Sequence, residues 1–220
     1  LGVLQFNAAC DDNCKTPKCF GVTEYAGNTI IVLEDLDAAG FSVRKEQINM
    51  EEIKACLFWL ANFHATFMTV TPEGLWTIGT YWHLATRPDE LEVLSDHRLK
   101  IAAPTIDKML NECSFQTIVH GDAKLANFCF TEGKLIGGQE TEAFVSAVDF
   151  QYAGGGCGIK DVVYFLGSCL NDQKCKAHEK ELLDYYFSIL KGAIHTKETD
   201  KTKTGINTEV LEKEWRQLYP

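Results

Sequence analysis

The sequence VHGDAKLANF occupies Val119–Phe128, and a second short motif, VDF, follows at Val148–Phe150. Within them Asp122 is followed by Asn127 five positions later and by Asp149 further along the chain. Apolar residues flank the polar segment, a pattern typical of a loop between two short buried strands. We therefore expect an α+β fold in which this loop and the end of a neighbouring strand bring the three side chains together.

These residue types suit phosphoryl transfer to a hydroxyl group. Asp122 is a candidate base, because a carboxylate within hydrogen-bond reach can accept the proton of an attacking hydroxyl. Asn127 and Asp149 offer hard oxygen ligands of the kind that Mg²⁺ prefers, and Mg²⁺ bridges nucleotide phosphates. Lys124 can stabilise charge on the transferred phosphate as a point charge. The pattern thus predicts a base, two metal ligands and a cation in one region.

The motifs resemble those of the aminoglycoside phosphotransferase and choline kinase-like superfamily, which are small-molecule relatives of the protein kinases. The protein kinase loop reads His-Arg-Asp-Leu-Lys-x-x-Asn, and His120, Asp122, Lys124 and Asn127 match it. Gly121 departs from that pattern and is typical of the small-molecule branch. The resemblance therefore implies a metabolite or drug hydroxyl as the acceptor, in preference to a protein side chain.

The nearest resemblance is to the subgroup that includes the ecdysteroid kinase-like phosphotransferases. Gln151 follows the Asp-Phe pair where protein kinases have glycine, and both Leu33–Leu36 and the glycine-rich Gly154–Gly158 fit this subgroup. The resemblance implies an enzyme that uses ATP and Mg²⁺ to phosphorylate a small-molecule alcohol.

The resemblance also implies a protein-kinase-like fold with two lobes. Residues 1–36 would be the remnant of a small β lobe, and residues 37–220 a mainly helical large lobe that carries the catalytic loop. In the resembling families the backbone of the hinge between the lobes, here Glu34, Asp35 and Leu36, hydrogen-bonds the edge of adenine. A plain loop is the alternative at these three residues.

Two further residues are expected to support the loop. His120 would brace it through backbone hydrogen bonds, with no part in proton transfer. Asp161 would begin an apolar helix and could cap it, and in kinase relatives an aspartate at this place also bonds the catalytic-loop backbone. The alternative for Asp122, Asn127 and Asp149 is ordinary turn chemistry, because aspartate and asparagine are common in loops.

A kinase small lobe contains a glycine-rich loop, a strand lysine and a helix glutamate that together hold the nucleotide phosphates. None of the three is identifiable in this sequence, so we expect them upstream of Leu1 in a longer chain. The alternative is a pseudokinase-like module that binds nucleotide or metabolite without turnover, against which the intact Asp122 argues.

The composition is that of a globular protein, with 45% hydrophobic and 24% charged residues. The formal net charge of −10 argues against a nucleic-acid partner, which would need a clustered basic face. No apolar stretch of about 18 residues and no signal peptide is recognisable, so we expect no membrane association. Nine scattered cysteines, together with nucleotide chemistry, favour reduced thiols and a cytoplasmic location.

Outside these motifs the chain predicts mainly helices. A Gly27-Asn28 turn indicates a β-hairpin, and Asn49 begins a helix whose apolar face includes a core histidine, His64. Trp76, Tyr81 and Trp82 are expected to form a small apolar cluster, with a cage for a cationic substrate as the alternative. The remaining predictions are a helix with Pro104 near its start, turns at Gly154, Gly155, Gly156 and Gly158, a helix over Lys176–Ile194, a linker over Thr196–Gly205 and a last helix capped by Asn207.

Overall fold

The computed structural model describes residues 7–81, 83–132, 135–136, 139–140, 144–200 and 205–220. The strands are β1 (Cys19–Tyr25), β2 (Asn28–Leu33), β3 (Thr117–Val119), β4 (Phe128–Phe130), β5 (Leu135–Ile136), β6 (Gln139–Glu140), β7 (Val145–Ala147) and β8 (Gly154–Gly156). The α-helices are α1 (Met50–Thr66), α2 (Pro88–Val93), α3 (His97–Asn111), α4 (Ile159–Cys169), α5 (Asp172–Asp200) and α6 (Thr208–Gln217). No helix of these residues is long and apolar enough to cross a membrane.

The strands pair as four separate antiparallel ribbons among the described residues, β1 with β2, β3 with β8, β4 with β7 and β5 with β6. Helices make up most of the remainder. The predicted α+β class is therefore confirmed. The pairing of β4 with β7 sets Phe128 opposite Ala147, so the chain that leaves the polar loop lies beside the chain that leads to Asp149.

The predicted hairpin is formed by β1 and β2. Ala26 and Gly27 at its turn have positive φ angles of 51° and 79°, as a tight hairpin turn requires. Apolar side chains on both strands are exposed, among them Phe20, Val22 and Ile31. The described part of the chain covers neither face of this ribbon.

Helix α1 is the centre of the core. Asn49 caps it through a reciprocal bond with Glu52, which confirms the predicted start. Its buried face, including Trp59 and Phe63, packs against α5 and the strands around the polar loop. His64 lies on that face and is fully buried, as predicted, with both ring nitrogens hydrogen-bonded. The core around α1 therefore packs against the strands that flank the loop.

The sequence-based boundaries of two helices are wrong. Helix α3 begins at His97, where the Asp96 side chain accepts hydrogen bonds from two backbone amides, and Pro104 lies inside it instead of at its start. Helix α5 continues to Asp200, so Thr196–Gly205 is not a linker over its first five residues. Residues 201–204 lie outside the described part.

The glycine-rich segment is also not the set of turns that was predicted. Gly154–Gly156 forms β8 and pairs with β3. A Cβ on Gly154 would lie 2.2 Å from the Trp76 carbonyl oxygen, so glycine is needed there for close packing of backbones. Gly158 precedes α4, which starts at Ile159. Asp161 therefore lies in the first turn and does not cap the helix.

Candidate active site

The polar loop between β3 and β4 makes a tight turn at Gly121. Its φ angle is +83°, and a Cβ there would lie 2.2 Å from the Tyr152 carbonyl oxygen. Both the conformation and the close approach require glycine. The loop is therefore in close contact with the segment that follows Asp149.

Asp161 of α4 holds this turn from the other side. Its Oδ2 accepts hydrogen bonds from the His120 amide (2.6 Å) and from His64 Nε2 (3.1 Å), and its Oδ1 accepts one from the Gly121 amide (3.0 Å). Burial alone would raise the pKa of Asp161, but the bonds from His64 and His120 outweigh it and lower the pKa. A buried, charged carboxylate therefore fixes the loop backbone.

His120 links the loop to the end of β7. Its Nε2 donates to the Val148 carbonyl oxygen over 2.9 Å, and its Nδ1 accepts from the Asp122 amide over 3.3 Å. Burial lowers the pKa of His120, which keeps the imidazole neutral. Both ring nitrogens are thus occupied by backbone groups.

The two oxygens of the Asp122 carboxylate have different surroundings. Oδ2 accepts hydrogen bonds from Lys124 Nζ (2.8 Å) and Asn127 Nδ2 (3.1 Å). Oδ1 is buried and has no hydrogen-bond partner in the described parts of the chain. The residue is only 3% exposed. An unsatisfied buried carboxylate oxygen is costly, so Oδ1 is available to a hydrogen-bond donor from outside the chain.

The chain at Asn127 lies beside the chain that leads into Asp149. The Asn127 amide nitrogen donates to the Asp122 backbone oxygen as well as to its carboxylate, which turns its own amide oxygen away. The Val148 amide donates to the Asn127 carbonyl over 3.0 Å. The exposed Asp149 has a φ angle of +66°, a conformation that is uncommon for residues other than glycine and is often found at functional sites.

Lys124 lies near both carboxylates. Its bond to Asp122 raises the pKa of Lys124, and the charge of Asp149 adds to this. The side chains of Asp122, Lys124 and Asn127 are therefore joined by hydrogen bonds, and Asp149 is close enough for its charge to act on Lys124. One carboxylate and one amide oxygen fit Mg²⁺, which keeps several waters as ligands. No denser cluster of His, Cys, Asp or Glu suited to a metal exists among the described residues.

The expected hinge lies directly after β2. The Glu34 amide, the Asp35 carbonyl and the Leu36 carbonyl all bond within the chain. Among the described residues, the Glu34 carbonyl and the Leu36 amide have no such partner. One acceptor and one donor two residues apart are what the edge of an adenine base can pair with. The Glu34 side chain instead forms an ion pair with Lys15.

A cavity of about 510 Å³ opens beside the loop. Its wall is mostly apolar and comes from α3, α4 and the chain beyond α6. Gly121, Tyr81 and Tyr164 lie where it meets the loop. Of the predicted aromatic cluster, Trp76 is 60% exposed, Tyr81 lines this cavity and Trp82 lies outside the described residues. Sequence reasoning missed Tyr164 altogether, since helical spacing from Asp161 was its only signal.

A family model described as the ecdysteroid kinase-like family matches residues 5–74 and 80–198. The matched ranges contain the hinge segment, the polar loop and Asp149. The resemblance predicted from the motifs and the kinase-like character of the α+β fold are thereby confirmed. No curated protein matches the chain significantly.

Proposed function

Because this chain belongs to the ecdysteroid kinase-like family, we propose that it transfers the γ-phosphate of ATP to a hydroxyl group of a small molecule. The family gives the kinase-like phosphotransferase class. The buried, unpartnered Oδ1 of Asp122 carries the finer proposal, since it is a proton acceptor held ready for a group that the chain does not contain.

In the proposed reaction Asp122 accepts the proton of the acceptor hydroxyl at Oδ1. Lys124 and Asn127 occupy Oδ2, so the carboxylate cannot rotate without breaking two hydrogen bonds. A base that is fixed in this way orients the hydroxyl before transfer as well as accepting its proton. His120 and Asp161 take no proton and hold the loop backbone.

The remaining polar groups suit a nucleotide. Asn127 and Asp149 would hold Mg²⁺, and Lys124 would face the transferred phosphate. The Glu34 carbonyl and the Leu36 amide would bind adenine, which makes residues 1–36 the end of a small lobe and residues 37–220 the large lobe. Bound ATP with Mg²⁺ would supply the phosphoryl group and neutralise its charge. The use of ATP favours a cytoplasmic location.

The cavity beside Gly121 suits an alcohol with an apolar body. Ile106, Met109 and Val163 contribute to its wall, whereas a sugar or an aminoglycoside would need many polar partners. The volume of about 510 Å³ is within the range of small-molecule sites. An ecdysteroid, the substrate named in the family description, is an alcohol of this kind.

A phosphate-transfer assay with labelled ATP and Mg²⁺ tests this function. We expect transfer to an ecdysteroid, little transfer to choline or an aminoglycoside, and loss of transfer when the metal is chelated. Asp149→Asn should weaken Mg-nucleotide binding, while Asp172→Asn, at an exposed aspartate outside the loop and strand-end motifs, should not. Binding of ATP without transfer to any acceptor would refute the proposed phosphotransferase activity and favour a binding module.

A further inference from the structure

Tyr164 and Tyr81 form a pair at the mouth of the cavity. Their ring centroids are 5.5 Å apart. The Tyr81 amide donates to the Gly121 carbonyl oxygen over 2.9 Å, and Tyr164 lies one turn beyond Asp161 on α4. Tyr81 therefore bonds to the polar loop directly, and Tyr164 lies on the helix whose Asp161 binds that loop.

Tyr164 lines the same cavity as Gly121, the residue that precedes Asp122. Burial raises the pKa of Tyr164, and its contacts with Tyr81 and Asp122 raise it further. The hydroxyl therefore keeps its proton and remains a hydrogen-bond donor. Even so, Asp122 Oδ1 receives no hydrogen bond of acceptable geometry from the described residues. Tyr164 thus offers a hydrogen-bond donor at the cavity wall, and Asp122 Oδ1 is an acceptor without a partner among the described residues.

We propose that Tyr164 positions the acceptor, donating a hydrogen bond to the acceptor oxygen while the acceptor hydroxyl donates its own to Asp122 Oδ1. Tyr81 holds the Tyr164 hydroxyl in place. This inference rests on the proposed phosphotransferase function. It assigns a role in the reaction to a residue outside the loop and strand-end motifs.

The proposed step balances without a further reactant. The acceptor oxygen forms a bond to the γ-phosphorus, the bond from that phosphorus to the bridging oxygen breaks, and ADP leaves. The acceptor proton passes to Asp122. Tyr164 neither gains nor loses a proton, so its contribution is orientation of the attacking lone pair.

The variant Tyr164→Phe tests the role, because it removes only the hydroxyl and keeps the ring. With an ecdysteroid as the acceptor probe, we expect kcat for transfer to fall about a hundredfold, as for loss of one positioned donor. ATP hydrolysis by water in the absence of acceptor, the KM for ATP and the thermal midpoint should be unchanged. Tyr81→Phe should give a smaller loss of the same kind.

Tyr152→Phe is the matched control. The Tyr152 ring also packs against Tyr81, at 6.0 Å, but no hydrogen bond of its hydroxyl is found within the described residues, so transfer should be as in the parent protein. Parental transfer by Tyr164→Phe would overturn the inference and leave the phosphotransferase intact. If transfer, ATP hydrolysis by water and the thermal midpoint all fell together, Tyr164 would have a purely structural role, and the inference would also be overturned. Absence of transfer by the parent would instead refute the proposed function.

Discussion

The polar loop between β3 and β4 and the turn of the β1–β2 hairpin both connect apolar strands. They differ in how far the surrounding chain buries the strands and binds the backbone. The strands flanking the loop, β3 and β4, are completely buried, and Asp161 and His120 occupy its backbone groups. The hairpin strands expose Phe20, Val22 and Ile31, and they are held mainly by their hydrogen bonds to each other.

The difference shows which part of the site this chain specifies by itself. The loop that carries Asp122, Lys124 and Asn127 is positioned by the core around α1. The hairpin leads into the hinge but contributes little to that core. We therefore expect perturbations of the loop to change stability and chemistry together, and perturbations of the hairpin to change neither strongly.

The largest difference should come from truncating one buried and one exposed side chain. Phe128 of β4 is 1% exposed and Ile31 of β2 is 45% exposed. Phe128→Ala should lower the free energy of unfolding by about 3–5 kcal/mol, since it leaves a cavity. Ile31→Ala should change it by about 0.5 kcal/mol or less. Denaturant titration measures both, and equal losses would contradict the comparison.

A second contrast uses two glycines with similar φ angles. Gly121 (+83°) meets the Tyr152 carbonyl if a Cβ is added, whereas Gly27 (+79°) meets nothing within 4 Å. Gly27→Ala should destabilise by about 1 kcal/mol through backbone strain alone. Gly121→Ala should cost about 2–4 kcal/mol, because the carbonyl must also move. It should also reduce transfer. If Gly121→Ala changed neither the free energy of unfolding nor transfer, the loop would tolerate displacement.

The smallest effect concerns pH. Burial lowers the pKa of His120 below 6.5, so the unfolded chain binds this proton more readily than the folded one. The free energy of unfolding should therefore fall as pH decreases below about 6.5, by at most about 1.4 kcal/mol per pH unit. His120→Gln should remove this slope, while His97→Gln, at an exposed position, should keep it. An unchanged slope in His120→Gln would assign the proton to another group.

The sequence was most informative where chemistry dictates residue type and spacing. Asp122, Lys124 and Asn127 were predicted to meet, and their side chains are hydrogen-bonded, because a short loop leaves few other arrangements. The paired strand brings only the backbone that leads to Asp149 beside this loop. Their catalytic and metal-binding roles remain predictions. The capped start of α1 was readable for a similar reason, since capping residues act locally.

Features that depend on distant contacts were not predictable. Gly154–Gly156 was interpreted as turns, but its glycines serve close packing against the Trp76–Gly79 segment, which no local pattern records. The position of Tyr164 depends on the packing of α4 beside the loop, which the local sequence does not record. Pro104 was given too much weight as a helix start, and the cap at Asp96 was overlooked.

The central claim is that Asp122 is the base for phosphate transfer. The most direct test is Asp122→Asn, which keeps the shape of the side chain and removes the proton acceptor, with transfer and nucleotide affinity measured on the same sample. We predict a fall in kcat of about 10²-fold or more, with Mg-ATP affinity close to that of the parent. Transfer at the parental rate by this variant would contradict the account.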